Sequence, residues 1–176
     1  RSLNLNEAVS TTEFSFEGDK YFRESFISFP DKVLVIKLSS SEKGKISFSA
    51  NMTTQLKLKD KVINGNEMSL FGKAPKYVAH RDSEPEQIIY DSFEGEGTNF
   101  EIKLKIVTSG GKISKKNNLL HVSDADEVMI TLASATSFNG FNKSPGLEGK
   151  DPGKELTNIY NNLRGENYDQ LKNSHV

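Results

Sequence analysis

Most of the chain alternates between apolar and polar positions at a period of two, the spacing of a half-buried β-strand. In Glu13-Phe14-Ser15-Phe16-Glu17 the two phenylalanines share a face, and Gly18-Asp19 supplies a two-residue turn into a second strand, Lys20 to Phe29. That turn places Phe16 opposite Tyr21, so an aromatic cross-strand pair is expected. Pro30-Asp31 turns the chain again, and Val33 to Leu38 reads as a strand buried on both faces. Ile46, Phe48 and Ala50 alternate with serines, and Leu56 and Leu58 with lysines. Asn64-Gly65 is the strongest short hairpin signal, joining Val62-Ile63 to Met68–Phe71. From Phe100 to Thr108 the residues Phe100, Ile102, Leu104 and Ile106 are expected to face inward, and Glu101, Lys103 and Lys105 to face water. Gly110-Gly111 reads as the turn that follows, and Leu119 to Val122 and Val128 to Ala135 complete the set. About ten short, regularly spaced strands with Gly, Asn and Asp turns argue for a mainly β fold, an antiparallel β-sandwich, over residues 1–136.

The last quarter changes character. Residues 137–151 carry Gly, Asn, Ser and Pro without a period and read as a loop. Asp151-Pro152 has the form of an N-cap followed by proline at the first helical position, and Leu156, Ile159, Tyr160 and Leu163 recur at helical spacing up to Gly165. Asn167 caps a second helix carrying Tyr168 and Leu171. Two such helices cannot bury their apolar stripes on each other alone, so residues 152–176 are expected to be a helical linker toward something absent. The chain opens on Arg1 and stops at Val176 inside the second helix, and both ends read as cuts in a longer protein.

Composition removes several kinds of chemistry. The 176 residues include no cysteine, which excludes disulfides, thiolate nucleophiles and Cys-ligated metal sites. Twenty-three basic and 24 acidic side chains give a net charge of −1, without the overall field that attracts nucleic acid or an acidic membrane. No stretch approaches the roughly 20 apolar residues of a membrane span. His80, His121 and His175 are far apart and without metal-ligand spacing, so no metal or cofactor is expected. Asp124-Ala125-Asp126-Glu127 lacks the glycine and distal glutamate of an EF-hand and reads as a solvated turn. Glu94 and Glu96 flank Gly95 in a single turn, whereas glycosidase carboxylate pairs come from separate elements. Lys57, Lys59 and Lys61 alternate along a strand as a solvated face. Ala135-Thr136-Ser137-Phe138-Asn139-Gly140-Phe141 departs from this pattern by placing two phenylalanines in a polar loop, where they either fold back as a loop core or meet a partner surface.

Those residues also carry a resemblance. Ala125-Asp126-Glu127-Val128, the Thr136-Ser137-Phe138-Asn139-Gly140-Phe141 loop, Pro145 and Gly149-Lys150-Asp151-Pro152 resemble the N-terminal β-domain of glycoside hydrolase family 95, which contains α-L-fucosidases and α-L-galactosidases. Tyr21-Phe22-Arg23-Glu24, Phe29-Pro30-Asp31-Lys32-Val33, Leu70-Phe71-Gly72-Lys73-Ala74-Pro75 and Thr108-Ser109-Gly110-Gly111 follow in the family's order. The resemblance implies a super-sandwich fold and a partner, the catalytic (α/α)6 helical domain of the same polypeptide. It further implies that fucosylated glycans meet the parent enzyme and that this enzyme is exported. It assigns no catalytic residue to this chain. Thr136, Ser137, Phe138, Asn139 and Phe141 become the candidate substrate-binding or domain-interface residues. The alternative is an independent carbohydrate-binding module, which would bind sugar alone. The absence of tryptophan argues against it, because such modules present flat aromatic platforms.

Overall fold

A computed structural model describes residues 1–163 and 165–176. Among these residues eleven strands precede two helices: β1 (Ser2–Asn4), β2 (Val9–Phe16), β3 (Asp19–Ser28), β4 (Val33–Ser40), β5 (Ile46–Ala50), β6 (Lys57–Asn64), β7 (Glu67–Lys73), β8 (Tyr77–Val78), β9 (Ile88–Ile89), β10 (Asn99–Lys116), β11 (Leu119–Thr136), α1 (Pro152–Asn162) and α2 (Tyr168–His175). The main sheet is antiparallel throughout, in the order β1-β2-β3-β4-β11-β10-β7-β6, with β5 added to β11 as a branch. The mainly β, antiparallel architecture expected from the period-two pattern is what the chain adopts.

Two turns sit one residue away from their expected places. The β2–β3 turn is Glu17-Gly18, both at positive φ (51° and 88°), as a type I′ turn requires. Gly18 takes the second central position, so Phe16 pairs with Asp19 and Phe14, not Phe16, stands opposite Tyr21. The aromatic pair forms with ring centroids 5.2 Å apart and planes 11° from parallel. In the β6–β7 hairpin Asn64 pairs with Glu67, which leaves Gly65-Asn66 as the turn.

A larger difference from the expected pattern lies at Gly110-Gly111. They do not turn the chain. β10 continues through them to Lys116, and the turn is Asn117-Asn118, with φ of 51° and 58°. Asparagine is among the few residues that enter the left-handed region readily. The expected strands Leu119–Val122 and Val128–Ala135 are one strand, β11, and the Asp124 cluster lies inside it rather than in a solvated turn. The ladder slips between Ser109 and Gly110, where Asp126 is the extra residue on β11, and Asp124, facing Gly111 next to the slip, has φ 55°. A Cβ on Gly111 would sit 2.3 Å from the Ser123 carbonyl oxygen, so the close approach demands glycine.

The bulge divides the hairpin into two layers. Its proximal half joins the main sheet, Asn99–Lys105 pairing with β7 and Glu127–Leu132 with β4. Its distal half pairs with β5 and lies over one face of that sheet. Lys115 Nζ there donates to the Ile63 carbonyl of β6 at 3.3 Å, and Lys45, beside β5, reaches Asp19 at the β2–β3 turn at 2.8 Å. Between the layers Ile46, Met68, Leu104, Ile106, Leu120, Val122 and Val128 form a core.

The opposite face of the sheet is covered by the helices. Leu156, Ile159, Tyr168 and Leu171 pack with Val9, Phe26, Val33, Val35 and Ala133. The apolar stripes expected to await an absent domain are therefore already buried by this chain. The face of β10 expected to meet water lies under α1 instead. Glu101 is buried, and its carboxyl is pushed above its ordinary value chiefly by that burial. The Tyr160 hydroxyl shares its proton between the Lys103 and Thr131 carbonyls, 2.9 and 3.1 Å away, and burial pushes its pKa up to about 12. The caps are those expected. Asp151 Oδ1 accepts from the Gly153 and Lys154 N–H groups at 2.9 and 3.3 Å, and Asn167 forms a capping box with Gln170. Lys172 pairs with Glu7 and Glu24, which ties α2 to the β2–β3 region.

Leu156 has no exposed surface, so Leu156→Ala is expected to destabilise the chain by about 3 kcal/mol through lost transfer energy and a residual cavity. Urea unfolding followed by circular dichroism checks this. An unchanged midpoint would mean that the helices do not contribute to the core.

Candidate functional site

The loop over residues 137–151 is built on two closures. Ser137 N donates to the Asn99 carbonyl at 2.9 Å, and Asn99 N donates back to Ser137 Oγ at 2.9 Å. Lys150 N donates to the Ser137 carbonyl at 2.9 Å, so the loop leaves and returns at one residue. Inside it, Asn139 Nδ2 donates to the Glu148 carbonyl at 2.8 Å, and Phe138 N lies 3.4 Å from Thr136 Oγ1. A Cβ on Gly146 would fall 1.7 Å from the Gly95 carbonyl oxygen, which presses this loop against the segment that follows β9.

That lower segment rests on a buried ion pair that the sequence did not mark. Lys73, at the end of β7, is fully buried, and its Nζ stands 3.1 Å from Asp91 Oδ1 and donates to the Gly95 carbonyl at 2.9 Å. Asp91 Oδ2 accepts from Gly97 N at 3.0 Å. Burial opposes the Asp91 charge most strongly, but the Gly97 N–H and the Lys73 ammonium together outweigh it and hold the carboxyl below its ordinary value. Phe93, from the same segment, lies under Lys57 and Lys59 with Nζ-to-centroid distances of 5.0 and 5.4 Å. The lysine row on β6 is thus engaged with an aromatic ring brought from elsewhere in the chain.

On this base the five candidate residues separate by role. Ser137 is buried and acts as the loop's clamp, and Asn139 holds the loop's return. Thr136 is exposed at the end of β11. Phe138 remains 57% exposed and Phe141 98% exposed, so the rings do not form a loop core. Phe29, 91% exposed in the turn before β4, was missed by sequence reasoning, although a phenylalanine directly before Pro30-Asp31 was a visible signal. It lies at the same end of the sheet, because Lys32 after that turn and Phe138 line one cleft of about 680 Å³.

The cleft also receives Lys150, Asp151, Lys154 and Glu155 from the start of α1. Its carboxylates are engaged: Asp151 caps the helix, and Glu155 pairs with Lys32 at 3.2 Å. Inverting glycoside hydrolysis requires one carboxyl to protonate the leaving group and another to activate a water, about 6.5–9.5 Å apart. Carboxylates bound up in a helix cap and an ion pair are suited to holding the loop rather than to that exchange. The remaining candidates are placed in structural roles. His121 lies between Ser49 Oγ and the Lys116 carbonyl at 2.8 and 3.1 Å, and His175 donates to the Glu7 carbonyl at 2.9 Å and stacks on Phe26. Asp126 Oδ1 accepts from Gly44 N at 2.8 Å, pinning the bulge to the start of β5.

The candidate cleft thus lies at one end of a folded-back antiparallel β-sandwich backed by two helices. The chain belongs to the family described as glycosyl hydrolase family 65, N-terminal domain, which matches residues 1–140. Along its whole length it is 25% identical to "Alpha-L-fucosidase 2" of Arabidopsis thaliana and 26% identical to "Probable alpha-fucosidase A" of Aspergillus niger. It spans about a fifth of the length of these curated relatives, 22% and 21% respectively. A solved structure named "Putative kojibiose phosphorylase from human microbiome" superposes on 98% of this chain and 23% of its own, with a TM-score of 0.52 and 9% identity, a likeness of fold. The resemblance drawn from the sequence is thus met at the level of a glycoside hydrolase N-terminal β-domain.

The depressed Asp91 value makes a signed prediction. Its stabilising contribution is fully present above the unfolded carboxylate value of 3.8 and is lost as pH falls through the lower folded value. Asp91→Asn is therefore expected to unfold at lower urea than the wild type near neutral pH. The gap should narrow as pH falls below 3.8 toward the lower folded value. A gap that widened on acidification would contradict this assignment.

Proposed function

We propose that this chain is the non-catalytic N-terminal domain of a larger glycoside hydrolase of the α-L-fucosidase type, family 95. In this reading it docks on a catalytic helical domain of the same polypeptide through the end of the sheet that carries Phe138, Phe141 and Phe29. The carrying observation is that Phe138 and Phe141 are held in solvent, 57% and 98% exposed, on a loop closed by three hydrogen bonds at Ser137. Rings kept outside a well-anchored loop support docking over loop packing, since burying them on a partner recovers the apolar transfer energy that folding left unused. The two fucosidase-named relatives support the enzyme class, and their greater length supports a second domain. Fucosylated glycans are then substrates of the parent enzyme, with this domain bordering the outer part of the cleft.

Phe138→Ser with Phe141→Ser, introduced into the parent polypeptide, is expected to lower the thermal midpoint of the whole enzyme and reduce turnover, while this chain alone keeps its midpoint. Unchanged stability and turnover of the parent would sink the docking role. The competing carbohydrate-binding reading is separated by titrating this chain with neutral fucosylated oligosaccharides. The docking reading expects no saturable binding, and millimolar or tighter binding would favour the module.

A further inference from the structure

At the opposite end of β4 from the candidate cleft, β5 overhangs the β2–β3–β4 face and leaves a groove of about 470 Å³, within the range of small-molecule sites. Cross-strand pairing puts Thr12 beside Arg23 and Phe14 beside Tyr21 on its floor, and Leu38 beside Arg23. Ile46 and Phe48 of β5 form the wall. One face of the Phe14 ring stacks on Tyr21, yet Phe14 stays 54% exposed. The apolar side of the groove is therefore aromatic and open.

Its polar side is cationic. Arg23 makes no ion pair among the described residues, and its one hydrogen bond there is a long one, Nη2 to Thr12 Oγ1 at 3.5 Å. Lys45 closes one end, and the nearby carboxylate, Asp19, is engaged with it at 2.8 Å. A guanidinium with free donors beside exposed aromatic surface selects a ligand with a planar anion and an apolar ring face. A neutral sugar would leave the Arg23 fork without a partner, and a simple anion would leave Phe14 uncovered.

We propose that this groove binds an acidic saccharide, a pyranose bearing a carboxylate, with Arg23 holding the carboxylate and Phe14 and Phe48 packing on the C–H face of the ring. The site is independent of the docking surface, which lies beyond the other end of β4.

Titration of the 176-residue chain with trigalacturonate at low salt, followed by backbone amide NMR, tests it, with maltotriose as the uncharged control. Expected is saturable binding of trigalacturonate with shifts confined to residues 12–14, 21–23 and 45–48, and no saturation by maltotriose. Arg23→Gln and Phe14→Ser should each weaken binding, the former by about tenfold or more as a charge-assisted hydrogen bond is lost, with both variants still folded by circular dichroism at the titration temperature. Failure of trigalacturonate to saturate, equal binding of maltotriose, shifts centred on residues 136–151, or full affinity in both variants would each overturn it. None of these results bears on whether the phenylalanine end docks.

Discussion

The architecture depends on one backbone constraint, the bulge that bends the β10–β11 hairpin. Gly110 and Gly111 on one strand and Asp124 on the other adopt positive φ at facing positions, and the Ser123 carbonyl approaches Gly111 too closely for any side chain. A straight hairpin of this length would extend beyond the sheet with both faces wet. Bent, its distal half becomes the second layer, carries β5 with it and encloses the core containing Leu120 and Val122. The Asp126 carboxylate holds Gly44 next to that bend, so the branch strand is fixed by the same feature. The groove between β5 and the β2–β3 hairpin exists because of this overhang.

The far end of the sheet relies on a different device. Lys73 and Asp91 are a charged pair with little access to solvent, costly to desolvate and compensated by the surrounding carbonyls and the Gly97 amide. Their value is positional. They hold the segment after β9 where Gly146 can seat against Gly95, and that contact supports the loop carrying Phe138 and Phe141. The exposed rings are thus mounted on an ordered base.

The helices change the meaning of the C-terminal quarter. Their apolar stripes are absorbed by the sheet face that carries Val9, Phe26, Val33 and Val35, while Phe138 and Phe141 on the preceding loop stay exposed. This chain of the glycosyl hydrolase family 65 N-terminal type therefore has its own two-sided core.

Much of this fold was legible along the chain. Period-two alternation located the strands, Gly65 and the Asn and Asp caps located turns and helix starts, and the loop of Thr136 to Phe141 stood out by its aromatics. Local chemistry determines such features, because a strand face, a primed turn and an N-cap are each decided within a few residues. The bulge could not be read in this way. Gly-Gly is equally compatible with a turn and with a bulge, and the choice was made by Asn117-Asn118 offering the turn and by Ser123 approaching Gly111 from the opposite strand. Glu101 and Tyr160 looked solvent-facing or merely helical until α1 was laid across β10, and Phe29 looked like a strand end until the turn turned it outward. The Lys73–Asp91 pair joins residues eighteen apart across a loop with no period, and Arg23 meets Phe48 only through the folded-back layer. The sequence alone therefore determined most of the strands, both helices and which loop is unusual. Tertiary structure decided which faces are covered and which side chains share a cleft, because those outcomes depend on contacts between residues remote in the chain.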